Sequence, residues 1–119
     1  METEKLTNQN DLTDYEVTHQ FYIAGVKFHQ LHSVIDLIEE GSYLRLVPEP
    51  TNKFDPNAVR IEYATFEKEA MLGYVPKVSS AAVSAVIAVG KKLECVVISL
   101  NPSEKPWKQC KVEIREVKE

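Results

Sequence analysis

Hydrophobic and polar residues alternate in six short segments of this chain, which is the pattern of strands that bury one face. The clearest example lies in the second half, where Leu93, Cys95 and Val97 share one face. The predicted strands are residues 22–26, 43–47, 58–63, 71–75, 92–100 and 109–117. The third and fourth strands are expected to pair as a hairpin, as are the fifth and sixth.

One segment has the composition of a helix. It is rich in Ala and Val, it is followed by Gly90, and it offers Ser79 or Ser80 as an N-cap. Because it is apolar on most sides, we expect it to be largely buried, plugging one end of a small barrel. Residues 34–38 form either a helical turn or a strand. About six strands with one or two short helices predict a mainly β (α+β) fold, a small antiparallel barrel.

Length and composition bound the domain organisation. A chain of 119 residues, 44% of them hydrophobic, can bury one core without a metal or a disulfide. Residues 1–18 are polar and lack periodicity, so we expect a flexible acidic arm followed by a single domain over residues 19–119. Cys95 and Cys110 either face each other across paired strands or are two separate buried thiols, which is the more common arrangement.

The charge distribution limits what the domain can bind. The net charge is −4, and residues 1–20 carry all of it, so residues 21–119 are neutral. A neutral domain has no broad surface for neutralising phosphates, and any binding of nucleic acid must be local. The sequence shows no signal-peptide pattern and no apolar stretch near the ~18 residues of a membrane span. We therefore expect a cytoplasmic protein that does not contact membranes.

An aromatic residue in a polar loop is the strongest sign of a binding site. Phe54 lies among Asn52, Asp55, Pro56 and Asn57, turn-forming residues that a strand or helix interior avoids. A ring held on a loop is a stacking surface, and the carboxylate beside it accepts hydrogen bonds, a pair that suits a nucleotide end. The structural alternative is an Asx-turn, in which Asp55 accepts from an amide near Asn57 and Phe54 covers the core. The two interpretations are compatible.

Three motifs in order give the chain a family resemblance. They are GVKF at 25–28, LRLVPEP at 44–50 with NKFDPNAV at 52–59, and LGYVPK at 72–77. Together they cover roughly residues 21–114, and the chain resembles a HIRAN domain of the free-standing bacterial type. The resemblance implies an OB-like barrel and a non-catalytic module that recognises 3′-hydroxyl ends of single-stranded DNA, in DNA repair or replication-fork processing. It also implies a separate helicase or nuclease as a protein partner.

The resemblance assigns roles to the candidate site residues. Phe54 would stack on the last base, and Asp55 would accept a hydrogen bond from the terminal 3′-hydroxyl and repel a 3′-phosphate. Lys27 and Phe28 would touch the terminal nucleotides, and base stacking on a ring is worth about 1–3 kcal/mol. The remaining expected nucleic-acid-binding residues are Tyr74, Lys77 and Trp107.

These five further positions have structural alternatives. The alternative for the three aromatic residues, Phe28, Tyr74 and Trp107, is a place in the core. The alternative for Lys27 and Lys77 is a solvated position on the surface. Lys77 also lies just before the predicted helix, whose first amides are able to receive a phosphate oxygen. The sequence leaves both interpretations open.

Motifs of catalysis and metal binding are missing from the sequence. It has no Gly-rich loop followed by Lys-Ser or Lys-Thr and no His-Glu-x-x-His. His19, His29 and His32 have neither zinc-site spacing nor cysteine partners, so we expect surface histidines. We therefore expect that the chain is not an enzyme and that it uses no cofactor, metal or small-molecule substrate. The main rival function is a protein-protein interaction domain that uses the same groove or a strand edge.

Overall fold

The computed structural model describes residues 14–118, which form one antiparallel sheet of six strands and one α-helix. The elements are β1 (Tyr15–Tyr22), β2 (Tyr43–Pro48), β3 (Val59–Ala64), β4 (Glu69–Tyr74), α1 (Lys77–Ala88), β5 (Leu93–Leu100) and β6 (Cys110–Val117). The order in the sheet is β1-β6-β5-β2-β3-β4. The mainly β class and both predicted hairpins, β3-β4 and β5-β6, are confirmed.

Four 3₁₀ helices complete the described chain. The first begins directly after Gly25, whose positive φ of 75° turns the backbone out of the extended conformation. Residues 34–38, which the sequence leaves open between a strand and a helical turn, contain the third. The four are Val26–Phe28, Leu31–Ser33, Ile35–Leu37 and Pro106–Lys108.

The two edges of the sheet approach each other at one point. Ala24, just after β1, and Tyr74 of β4 form an isolated bridge in which each backbone N–H donates to the other carbonyl, at 2.9 and 2.8 Å. Within the described chain the sheet therefore curls into an OB-like shape, with this bridge instead of a continuous ladder between its edge strands. Gly73 permits the approach, because a Cβ there would overlap the carbonyl oxygen of Ala24.

The core consists of the apolar strand faces and the segment that follows β1. On β6, Cys110, Val112 and Ile114 point inward and are at most 1% exposed, as their alternation predicts. Ile23 and Leu31 cover the sheet from the segment after β1 and are equally buried. Burying each such side chain stabilises the fold by about 1.5–3 kcal/mol.

Both cysteines are buried free thiols. In the register of β5 and β6, Cys95 lies opposite Ile114 and Cys110 lies opposite Leu100, so the two are not cross-strand partners. Burial raises the pKa of the Cys110 thiol to about 12, and it raises the pKa of Cys95 further. Of the two arrangements open from the sequence, separate buried thiols are confirmed.

The start of the domain differs from the sequence-based expectation. β1 begins at Tyr15, so residues 15–18, assigned to a flexible arm, belong to a strand that pairs with β6 from Tyr15 opposite Val117. Residues 1–13 of the predicted arm lie outside the described residues. The predicted strand 22–26 is wrong as well, because β1 ends at Tyr22 and Gly25 starts a 3₁₀ turn. β1 has apolar residues at the alternate positions Tyr15, Val17 and Phe21, but most of its residues remain exposed, so the strand buries little apolar surface.

Helix α1 also differs from the prediction. It begins at Lys77, directly after Pro76, so neither Ser79 nor Ser80 is its N-cap. Its buried residues are Ser80 and Val83, so the expectation of a largely buried helix is wrong. A helix beside one end of a single small sheet packs against the core with one side only. Its other sides remain accessible to solvent, whatever their composition. No helix among the described residues is long and apolar enough to cross a membrane.

Candidate functional site

A cleft of about 700 Å³ lies where three segments meet. These segments are the turn after β1, the loop at 52–57, and the junction between β4 and α1. A smaller cavity of about 170 Å³ adjoins the cleft and shares Gly25 and Phe28 with it. The side chains with stacking, charge or hydrogen-bonding capacity in the cleft are Phe28, His29, Phe54, Asp55, Tyr74 and Lys77.

The fold brings all the predicted site residues to these two cavities. Phe28, Phe54, Asp55, Tyr74 and Lys77 line the cleft, and Lys27, Phe28 and Trp107 line the adjoining cavity. Segments separated by up to 80 positions in the sequence therefore share one surface, since the turn after β1 packs beside the 3₁₀ helix Pro106–Lys108.

Three aromatic rings of this surface are exposed. Phe54 is 89% exposed, Phe28 78% and Trp107 61%. The structural alternatives that placed Phe28 and Trp107 in the core, and Phe54 over it, are wrong. A ring that gains nothing from the core is available for stacking on a ligand.

Cations lie close to two of these rings. The Nζ of Lys27 is 5.8 Å from the ring centroid of Phe28, and the Nζ of Lys105 is 5.6 Å from that of Trp107. These separations are within the range of cation–π attraction, which places positive charge beside the stacking surface. Lys77 adds an exposed ammonium group at the first residue of α1.

Hydrogen bonds to Asn52 and Asp55 hold the loop at 52–57. The side-chain oxygen of Asn52 accepts from the amides of Phe54 and Asp55 at 2.8 and 3.0 Å. Asp55 Oδ1 in turn accepts from the Asn57 amide at 2.9 Å. The predicted Asx-turn is therefore present, and it coexists with the position of Phe54 and Asp55 in the cleft. The turn-forming residues thus fix the direction in which an exposed ring projects.

Ser80 is a site residue that the sequence did not reveal. Its hydroxyl donates to Asp55 Oδ2 at 2.7 Å, from a position that is only 2% exposed. This bond, the Asn57 amide and the charge of Lys77 lower the pKa of Asp55 below its ordinary value. The cleft therefore contains a carboxylate that stays ionised. Ser80 lies 25 positions away on another element, so only the packing of α1 against the loop identifies it.

Replacing Ser80 by alanine is expected to raise the pKa of Asp55, because the largest cause of its lowering is removed. A carboxyl with a lowered pKa in the folded state stabilises the fold above its ordinary pKa, and this contribution is lost as the pH falls through the folded value. The stability difference between wild type and Ser80→Ala should therefore narrow on acidification. Titration of the Asp55 carboxyl by NMR checks the shift, and an unchanged pKa in the variant contradicts it.

Tyr74 and His29 form the opposite wall of the cleft. The rings pack edge to face with centroids 5.8 Å apart, and the Tyr74 hydroxyl donates to Glu49 Oε1 at 2.9 Å. Burial and the neighbouring Glu49 raise the pKa of Tyr74, so this hydroxyl stays protonated. The expectation of a surface histidine missed the place of His29 in the cleft, although its position next to Lys27 and Phe28 was a signal.

Metal-ligating groups do not cluster in the described chain. No group of three or more His, Cys, Asp or Glu residues is arranged to hold a metal ion among residues 14–118. The side chains that line the cleft offer stacking, hydrogen bonding and charge.

Comparison with known proteins places the fold in a family. The HIRAN domain model matches residues 17–116. Over 55 residues, 46% of this chain, the sequence is 42% identical to a Fanconi-associated nuclease 1 homolog from Oryza sativa subsp. japonica. The match spans only 5% of the length of that rice protein.

Two solved structures share the fold. A protein from Lactobacillus plantarum superposes with a TM-score of 0.74 at 16% identity, covering 90% of this chain and 99% of that one. The HIRAN domain of human HLTF superposes with a TM-score of 0.64 at 12% identity, covering 87% of this chain and 78% of that one. At these identities the likeness concerns the fold.

Proposed function

This chain belongs to the HIRAN domain family, and from that premise we propose that it is a nucleic-acid-binding module whose cleft recognises the 3′-hydroxyl end of single-stranded DNA. The observation that carries the proposal is the pairing of Phe54, an 89% exposed ring, with Asp55, a carboxylate kept ionised beside it. A terminal nucleotide presents a flat base and a free hydroxyl. The pair is complementary to both.

Asp55 has spare capacity for a ligand. Each carboxylate oxygen is able to accept two hydrogen bonds, and the protein supplies one to Oδ1, from Asn57, and one to Oδ2, from Ser80. A terminal hydroxyl would add a third bond. A terminal phosphate would instead bring its negative charge close to the ionised carboxylate. The resulting repulsion would weaken binding of the 3′-phosphate end and so favour the 3′-hydroxyl end.

The remaining groups of the surface suit a strand leading away from its end. Phe28 and Trp107 offer rings beside the smaller cavity, and Lys27 and Lys77 offer cations for the phosphates. Helix α1 begins at Lys77 with no side-chain cap, and its N-terminal end adds partial positive charge beside this lysine. Because residues 21–119 are neutral as a whole, affinity depends on this local set of contacts.

Fluorescence anisotropy with a ~10-nucleotide single strand at low salt tests the proposal. We expect the 3′-hydroxyl strand to bind at least about tenfold more tightly than the 3′-phosphate strand, since tenfold corresponds to about 1.4 kcal/mol of repulsion. The matched variant Asp55→Asn keeps an oxygen for the Asx-turn and removes the charge, so it should narrow the preference. Equal affinity for the two ends in the wild type would refute end recognition, and absence of binding would refute the DNA-binding proposal.

The proposed cellular role is the protection or presentation of DNA ends without catalysis by this domain. The family membership and the match to a segment of a nuclease homolog support a role in DNA repair or replication-fork processing. A separate helicase or nuclease would then act on the end that this domain holds. The proposed compartment is the cytoplasm.

A second candidate function is protein binding through the edge of the sheet. β1 is the last strand in the sheet order, and no described strand pairs with its outer side. Tyr15, Val17 and Tyr22 are exposed along it, which suits the addition of a strand from a partner. If the protein binds no single-stranded DNA in the anisotropy experiment, protein binding at the sheet edge becomes the favoured function.

A further inference from the structure

Glu49 lies at the centre of a hydrogen-bond network behind the cleft. It follows directly after β2, and its side chain is 20% exposed. One carboxylate oxygen, Oε1, accepts from the Tyr74 hydroxyl at 2.9 Å and from the Asn52 amide nitrogen at 3.0 Å. Tyr74 belongs to one wall of the cleft and Asn52 to the other, so a single atom joins the two walls.

The bond to Asn52 extends to the groups that would meet the ligand. The other end of the Asn52 amide, Oδ1, accepts from the backbone N–H groups of Phe54 and Asp55. With its nitrogen held by Glu49, the Asn52 amide has one defined orientation, and its oxygen is aimed at those two groups. Through Asn52, Glu49 therefore helps to hold the backbone of Phe54 and Asp55, beside the bonds that the Asp55 carboxylate accepts from Asn57 and Ser80.

Arg60 of β3 holds the second oxygen of Glu49. Its guanidinium donates to Oε2 at 2.9 Å, and the same guanidinium lies 2.5 Å from Glu62. Burial alone would raise the pKa of Glu49, but the bonds from Asn52, Tyr74 and Arg60 outweigh it and lower the pKa. The ion pair anchors the carboxylate to the sheet, so the network is a continuous connection from β3 to both walls.

We infer that Glu49 is a positioning residue that fixes the spacing of the two cleft walls, and so sets the affinity and end preference of the site without touching the nucleic acid. The importance of this spacing for binding rests on the function proposed above. A site whose supporting residue is lost becomes loose even though every contacting residue remains.

Two variants of Glu49, measured for DNA affinity and for amide hydrogen exchange, test the inference. We expect Glu49→Ala to lower affinity for the 3′-hydroxyl strand about tenfold, which reflects the loss of hydrogen bonds to a charged group. Glu49→Gln keeps an oxygen that Tyr74 and Asn52 are able to use, so it should restore part of the affinity. In Glu49→Ala the amides of Phe54 and Asp55 should exchange faster, while amides of β5 and β6 keep their protection.

A matched control is Glu113, another largely buried carboxylate with one arginine and one amide partner. Glu113 lies on β6, outside the cleft, and accepts from Arg115 of the same strand at 2.6 Å and from Gln20 of β1 at 3.2 Å. Glu113→Ala should leave affinity and the exchange of the loop amides unchanged.

The exchange experiment keeps this inference separate from the DNA-binding proposal. Faster exchange confined to the loop in Glu49→Ala supports the positioning role even if the wild type binds no DNA. Unchanged exchange at Phe54 and Asp55, or an equal loss of protection throughout the sheet, would overturn it. Where DNA does bind, equal affinity of wild type and Glu49→Ala would overturn it as well.

Discussion

Replacing Phe54 by alanine is expected to weaken binding of a single-stranded 3′ end about 5- to 150-fold while leaving the fold intact. The ring is 89% exposed, so its removal leaves no cavity and should change the free energy of unfolding by less than about 0.5 kcal/mol. Stacking of a base on an aromatic side chain contributes about 1–3 kcal/mol, which corresponds to the expected range of affinity. Anisotropy titration and chemical denaturation of the same preparations measure the two effects.

Phe66 provides the matched control for this experiment. It is a fully exposed phenylalanine in the turn between β3 and β4, at the opposite end of that hairpin from the cleft. Phe66→Ala removes the same ring from an equally solvated position, so it should change neither affinity nor stability. If the two variants lose affinity equally, the ring of Phe54 has no special role in the site. If Phe54→Ala instead loses several kcal/mol of stability, the residue is structural.

Replacing Gly73 by alanine should destabilise the domain by about 3 kcal/mol. A Cβ at this position would overlap the backbone carbonyl oxygen of Ala24 and lie 2.6 Å from a methyl group of Ile23. Backbone atoms cannot move aside as a flexible side chain does, so the bridge between Ala24 and Tyr74 would have to open. Because Tyr74 lines the cleft, loss of the bridge should also weaken nucleic-acid binding. Denaturant unfolding measures the first effect and anisotropy the second.

Gly41→Ala is the control that separates the two destabilising effects of Gly73→Ala, steric overlap and an unfavourable backbone conformation. Its φ is +94°, so alanine there is strained, but nothing lies within 4 Å of the added Cβ. We expect Gly41→Ala to cost only about 1 kcal/mol and to leave binding unchanged. If Gly73→Ala costs no more than Gly41→Ala, the edge strands do not need their close approach at this point.

The strands were predictable to the extent that their alternation is local. β2 through β6 correspond to predicted segments within a few residues, since each buries one face and ends at turn-forming residues. β1 was missed in part because it is a mostly exposed edge strand, held by its backbone ladder to β6 more than by a buried apolar face. The composition of α1 also did not predict how much of the helix is buried. Its burial depends on the area of core that remains uncovered at the end of the sheet, which the composition does not specify.

The sequence by itself determined the β class, the hairpins and the loop that carries Phe54 and Asp55, because alternation and turn propensity act between near neighbours. The tertiary structure decided which distant groups meet that loop. The bond from Ser80 to Asp55 spans 25 positions, as does the bond from Tyr74 to Glu49. Such contacts follow from strand register and from the curl of the sheet, which no local pattern specifies. The loop residues that would touch a ligand, Phe54 and Asp55, are therefore visible in the sequence, whereas the residues that hold them in place emerge only from the fold.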